Sequence, residues 1–474
     1  MVILDPSKSF FATDHPAATA LRRRTFFQAA ASLFVVVALV APSLAPARER
    51  DDDRWVGTWA ASPQTAEAPI VVPVPTQFEN QTLRQIVHTT IGGSKVRIRL
   101  SNELGTAAIT IGGATVALRS AGAAIVPGSD RKLTFSGRPT ATIPAGAPML
   151  SDPIDFDVPA IGDLAVSVYL PKATPASTFH SLGLSDTYVS TPGDYSTAVV
   201  MPTASTTQSW FFLTGVSVEA SDRQAAIVTL GDSITDGFAS TPNTNRRWPD
   251  LLAARLQANH RFDHLAVLNE GISGNRTLFN VFGPNALARL DRDVLTAPGA
   301  KFVILLEGIN NIGLPGAFGF PDQVVTAEDI IAGHKQIIVR AHERGLTAIG
   351  CTLTPFEGTI FPGYYTPAGE VKRQAVNAWI RSSGAFDAVI DFDRAVRDPA
   401  HPTRILPAYD SGDHLTRTTP ATERWLTSLI CHCFAAAAKS ERHQCVACFG
   451  RALNGSGAVH RKSLHQPSTS EAPL

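Results

Sequence analysis

Four short polar clusters, each set just past an apolar run, hold the residues of this sequence best suited to act on a carbonyl carbon. The first is Gly231-Asp232-Ser233-Ile234-Thr235-Asp236-Gly237, directly after Ala226–Leu230. A serine between a strand and a helix start is exposed to substrate and lies close to free backbone N–H donors. Gly, Asp and Ser are also ordinary turn residues, so the triplet alone says little. It is not the G-x-S-x-G elbow of the α/β-hydrolases, which disfavours that fold. The second cluster, Asn269-Glu270-Gly271-Ile272-Ser273-Gly274-Asn275, follows Ala266–Leu268. A glycine at 274 lets a backbone N–H approach an oxyanion closely. The third, Glu307-Gly308-Ile309-Asn310-Asn311, follows Val303–Leu306 and offers the Asn310 amide as another donor. Losing such a donor typically costs about 3 to 4 kcal/mol of barrier. The fourth, Tyr409-Asp410-Ser411-Gly412-Asp413-His414-Leu415, places in Asp413 a carboxylate that could orient a base. No His/Cys ligand cluster occurs in the body of the chain, so neither metal nor other cofactor is expected.

Order and spacing are more specific than any one cluster. A Gly-Asp-Ser serine, a glycine, a Gly-x-Asn block and a late aspartate block, spread over Ala226 to Leu415, resemble the GDSL/SGNH hydrolases. The resemblance implies Ser233 as nucleophile, and an oxyanion hole of its own N–H, Gly274 and Asn310. It implies Asp413 as support for the base, in a two-step acyl transfer without metal. The family's third block reads Gly-x-Asn-Asp, and Asn311 departs from it. The opening Trp55-Val56-Gly57-Thr58-Trp59-Ala60-Ala61-Ser62 and the β-rich stretch after it resemble a branch with an N-terminal β domain, some of whose members are similar to acetylxylan esterases. The substrate expected from this is a small-molecule or polysaccharide ester, acetyl esters among them.

The family's last block is Asp-x-x-His, its histidine being the general base. Three residues past Asp413 stands Thr416; His414 is one residue past it and is expected to point elsewhere. The ten residues from Thr416 to Trp425 can be encoded so that one added nucleotide reads His-Pro-Asn-Asp-Ala-Gly-Tyr-Arg-Ala-Met, the family's usual continuation. The expectation is a single-nucleotide deletion or sequencing error at the Leu415/Thr416 junction, a crippled site, and an aberrant, disordered tail over 416–474. Cys431-His432-Cys433 and Cys445-x-x-Cys448 have zinc-like spacing, which this reading assigns to out-of-frame translation. A reading of another class is a non-catalytic carbohydrate- or surface-binding protein with a degenerate hydrolase domain.

The elements that must position these clusters come in two textures. From 55 to 220, short runs such as Lys95–Leu100 and Leu164–Tyr169 alternate with period two, which predicts an all-β sandwich or jelly roll. From 223 to 415, apolar strand runs alternate with helical patterns: Trp248, Leu251, Leu252 and Leu256 on one helix, and Val371, Ala375, Ala378 and Trp379 on another. That predicts a three-layer α/β/α fold with a parallel sheet, whose ligands sit beyond the carboxyl ends of the strands. The aromatic stretch Pro355–Tyr365 is a possible wall of the substrate pocket, or simply packs on itself.

Composition narrows the partners. The chain has 474 residues, 44 % apolar, with 41 Lys+Arg against 41 Asp+Glu. A balanced charge gives no electrostatic case for nucleic acid and suits a neutral substrate. Arg22-Arg23-Arg24-Thr25-Phe26-Phe27, an apolar run to Leu44 and Ala45-Pro46-Ala47 read as a cleaved twin-arginine-like export signal over 1–47, hence a secreted or periplasmic protein. The apolar run is shorter than the roughly 20 residues a spanning helix needs, so no membrane span is expected after cleavage. Cys351 is the only cysteine between the signal and Thr416, so the body is held by packing alone. No pattern specifies an oligomer.

Overall fold

The computed structural model describes residues 54–65 and 74–416. The export-signal reading of 1–47 and the tail beyond 416, with its cysteine pairs, lie outside the described residues.

In the N-terminal region the period-two runs form antiparallel strands. Strand Gly93–Ser101 turns Val96, Ile98 and Leu100 inward, each fully buried, while Arg97 and Arg99 keep part of their surface exposed. It pairs with Leu213–Glu219, which pairs in turn with Trp55–Ala60. A second antiparallel sheet is centred on Gly162–Leu170, flanked by Gln81–Thr89 and Gly113–Ala121. Leu83, Val116, Val166 and Val168 of this sheet join Val96, Ile98 and Val216 of the first in one buried cluster, the arrangement of a sandwich.

Past residue 224 the chain forms a five-stranded, all-parallel sheet. Its order across the sheet is Leu265–Gly271, Ala225–Gly231, Ala300–Leu306, Thr347–Cys351, Ala388–Ile390. The first strand in sequence therefore lies second, and the chain reverses direction between Ala225–Gly231 and Ala300–Leu306. Such a reversal opens a crevice at the carboxyl ends of those two strands. Ala226, Val228 and Leu230 face a layer that includes Leu290, Ile330 and Ile337. Ala225 and Ile227 face the opposite layer with Trp248, Leu252 and Phe392. Both faces are covered, as the near-continuous apolar strands require. The edge strand Leu265–Gly271 meets the sandwich: the Val267 N–H donates to Thr90 Oγ1 at 3.1 Å, and nearby the Gly57 N–H donates to the Pro298 carbonyl at 2.9 Å. The first buried cluster accordingly runs from the sandwich into the parallel sheet.

One helix face differs from its sequence reading. The helix Pro367–Ser382 forms, but Val371 is 70 % exposed and Ala375 and Ala378 face solvent, while Trp379 is half-buried. Its buried side carries Arg373, whose guanidinium bonds Glu370, Asp393 and the Leu353 carbonyl at 2.7–2.8 Å, beside Asn377. A fully satisfied ionic network took the inward side, so an apolar count picked the wrong face. Among the described residues no helix is long and apolar enough to cross a membrane.

Candidate active site

Ser233, Gly274, Asn310 and Asp413, from four separate loops, line one cleft of about 300 Å³ at the carboxyl ends of the parallel strands. Ser233 opens the helix Ser233–Asp236, capped by Asp232, whose carboxylate accepts from the Ile234 N–H at 3.0 Å. The serine thereby sits where helix N–H groups are unpaired by the helix itself. Gly274 has φ +77°, and a Cβ there would meet the Phe282 ring at 2.5 Å. A side chain is excluded twice over, and the backbone stays open to the cleft.

Asn310 starts a helix, Ile309–Phe318, that follows the strand Ala300–Leu306. Its Nδ2 donates to the Asn275 carbonyl at 2.9 Å, and its Oδ1 accepts from the Tyr364 hydroxyl at 2.7 Å. One Nδ2 hydrogen remains for a ligand in the cleft. Burial, helped by the nearby Asp232, Glu307 and Asp413 carboxylates, pushes the Tyr364 phenol well above its usual range, so it stays a donor. Asn311, where the related block has aspartate, still accepts the Thr277 N–H at 2.7 Å. Its side-chain nitrogen is buried without a partner. The loop 272–277 is thus held by both asparagines.

Behind the cleft lies a brace that local sequence patterns did not reveal. Arg289, fully buried, donates to the Gly231 carbonyl at 3.0 Å, the Glu270 carbonyl at 2.6 Å and Asn275 Oδ1 at 3.1 Å. It ties the serine loop to the glycine loop. Its Nη1 also meets Asp293 at 3.0 Å and Ser62 Oγ, from the sandwich, at 2.8 Å. Burial pushes Asp293 upward, but Arg292 and Arg289 outweigh it and hold this carboxyl below its usual value. A second link is His180, again from the sandwich. Its Nδ1 meets the Ser62 carbonyl at 2.8 Å and its Nε2 meets Asp236 Oδ1 at 3.0 Å. Asp236 Oδ2 accepts the Ser273 N–H and hydroxyl, both at 2.7 Å.

At the far end, Asp413 accepts from Thr416 N–H at 2.7 Å, Leu415 N–H at 2.9 Å, Ser411 Oγ at 2.8 Å and Thr416 Oγ1 at 2.7 Å. Thr416 lines the cleft, and among the described residues no histidine does. His414 adopts φ +56° and pairs with Asp410, half exposed. His334 is buried with Nε2 on the Glu307 carbonyl at 3.0 Å, and burial pushes it down to about 4. The remaining lining is largely apolar: Phe238, Phe282, Leu314, Phe318 and Phe361 among others. Of the aromatic stretch 355–365, Phe361 and Tyr364 line the cleft, while Phe356 is buried in the core.

A family model for the GDSL-like lipase/acylhydrolase family matches residues 229–418. No curated protein matches the chain. Among solved structures, the aryl esterase of M. smegmatis is 18 % identical over 46 % of this chain and 98 % of its own, with a TM-score of 0.35. A carbohydrate acetylesterase from Sinorhizobium meliloti is 15 % identical over 46 % and 100 %, with a TM-score of 0.34. An acetyl xylan esterase is 17 % identical over 43 % and 96 %, with a TM-score of 0.34.

Proposed function

By its residues 229–418 the chain belongs to the GDSL-like lipase/acylhydrolase family, and on that premise we propose that it is the scaffold of an exported serine ester hydrolase lacking its general base. The observation that carries this is the cleft itself: serine, glycine, asparagine and aspartate in family order line it, and Thr416 lines it beside Asp413. In the reaction Ser233 Oγ attacks the ester carbonyl. The oxyanion receives the Ser233 and Gly274 N–H groups and the spare Nδ2 hydrogen of Asn310. The alcohol leaves, and water then releases the acid from the acyl-serine.

A base at residue 416 would take the Ser233 proton while Asp413 orients its ring. Thr416 Oγ1 already reaches Asp413 Oδ2 at 2.7 Å, so position 416 is placed to exchange a hydrogen bond with that carboxylate. Thr416 cannot accept a proton at neutral pH, so the chain as it stands turns over slowly. The family match ends at 418, where a shift of reading frame at the Leu415/Thr416 junction would end it. Export by the Arg22-Arg23-Arg24 segment is part of the same proposal.

Hydrolysis of p-nitrophenyl acetate by the chain and by its Thr416→His variant tests the reading. The expected result is weak or absent turnover in the first and turnover dependent on Ser233 in the second. If both are inert while the chain binds acetylated xylan strongly, the protein is a binder and the catalytic reading is wrong. Acids released from acetylated xylan, phospholipid and simple esters would fix the substrate class.

A further inference from the structure

A second cavity, of about 530 Å³, opens at the seam between the sandwich and the parallel sheet and shares no lining residue with the cleft. Its volume lies within the range of about 300–1,000 Å³ usual for small-molecule sites. Trp59, Arg97 and Arg99 line it from the sandwich, and Glu270, Arg292 and Asp293 from the other side.

The charges of this lining do not balance. Arg292 is committed to Asp293, at 2.5 and 3.0 Å, and Asp293 is further held by Arg289. Arg99 has Glu103 at 3.5 Å. Arg97 differs. Its guanidinium lies over the Trp55 ring at 4.4 Å, its Nε is buried without a hydrogen-bond partner, and no carboxylate among the described residues offsets its burial, which lowers its pKa. Arg97 is only part-buried and no carboxylate among the described residues pairs with it, so a ligand's negative charge in the cavity would meet an uncommitted cation.

Glu270 supplies the second signal. It is only 5 % exposed, and its Oε2 has no partner. Burial, and then the Asp293 charge, raise its pKa well above the usual carboxylate range. Arg289, Arg292 and Ser62 act the other way, but the net direction favours the protonated form, which offers an O–H donor instead of a competing negative charge. The rest of the lining, including Met149, Leu150 and Pro298, is apolar.

We propose that this cavity binds a small monocarboxylate of sugar-acid size, the carboxylate on Arg97 and Glu270 and one face of the ring against the apolar wall. One unpaired cation matches a single negative charge better than a phosphate dianion. The volume favours a ring over a two-carbon acid.

Isothermal titration of the full chain with glucuronate, acetate, glucose and inorganic phosphate tests this. Glucuronate is expected to bind at least tenfold more tightly than the other three. Arg97→Ala should reduce its affinity at least tenfold, and Arg97→Lys less than Arg97→Ala. Glu270→Gln, which keeps a donor, should stay within a few-fold of the parent. Ser233→Ala should bind unchanged, which separates this site from the catalytic reading. Circular dichroism checks that each variant is folded. The proposal is overturned if glucuronate does not bind at millimolar concentration, if glucose, acetate or phosphate equals it, or if folded Arg97→Ala and Arg97→Lys both bind as the parent does.

Discussion

At one end of the cleft, the loops of Ser233, Gly274 and Asn310 are fastened to one another and to the sandwich through Arg289, Asn311, Ser62 and His180. At the other end, Asp413 is held by the four donors of its own loop, Ser411 to Thr416, and among the described residues it meets no imidazole. The two ends share a cavity but not a state of completion. Groups that stabilise charge must be rigid before reaction begins, since reorganising them would cost what they are meant to supply. A base must instead be a titrating side chain within reach. The first requirement is shared among several residues; the second rests on one. On the proposed reading, the chain keeps the first and lacks the second.

Restoring the base is the sharpest way to break this comparison, and it carries the largest expected effect. Thr416→His should raise kcat/KM on p-nitrophenyl acetate by roughly 10³-fold or more, the order lost when a triad member is removed. Activity should rise with pH as the new imidazole loses its proton, with a midpoint near or above about 6.5, because the Asp413 carboxylate favours the protonated ring. A midpoint near 4 would point instead to His334, whose burial sets that value. No gain in a folded variant would show that the oxyanion end is not as ready as its hydrogen bonds imply.

The next largest effect is on stability. Arg289→Met removes the cation that joins Gly231, Glu270, Asn275, Asp293 and Ser62. It leaves buried carbonyls and part of the Asp293 charge without partners, at a cost of about 3–5 kcal/mol. Urea unfolding measures it. A loss under about 1 kcal/mol would mean that the sandwich and the hydrolase sheet hold the loops through apolar packing alone.

How much of this was legible in the sequence follows the distance between partners. The parallel strands showed themselves because a strand's burial is written in consecutive residues, as in Ala226–Leu230. Three of the four clusters showed themselves because a loop following a strand is a local feature, and the crevice at the reversal of strand order collects such loops; the Asp413 cluster instead follows the short helix Pro407–Tyr409. The brace was not legible. Ser62 and Arg289 are 227 residues apart, and His180 and Asp236 are 56 apart, with no spacing rule to join them. The buried side of Pro367–Ser382 was misread for a related reason. Periodicity counts apolar residues, and an arginine turns inward only when its partners, here Glu370 and Asp393, are there to meet it. His414 lay next to Asp413 in sequence, yet its positive φ and its pairing with Asp410 turn it away.

Within the oxyanion end, Asn310→Ala in the Thr416→His background should lower kcat by about 10²–10³-fold, with KM little changed, as for loss of one oxyanion donor. A loss below about fivefold would move the oxyanion away from Asn310 and onto the backbone donors.

The smallest effect tests the support of that same amide. The Asn275 carbonyl can only accept, so the Asn310 atom 2.9 Å from it must be Nδ2. The atom facing Tyr364 is then Oδ1, and the phenol must be the donor, as its raised pKa requires. Tyr364→Phe keeps the ring that packs on Phe356 and Phe361 but removes one of the two hydrogen bonds that hold the carboxamide. It also leaves a buried carbonyl oxygen unsatisfied, at about 1–3 kcal/mol of stability. In the Thr416→His background kcat should fall about tenfold or less, with KM steady and the pH midpoint unmoved, since the base is elsewhere. A shift of the midpoint would show that Tyr364 senses the Asp413 end directly, and the division of the cleft into two independent halves would fail.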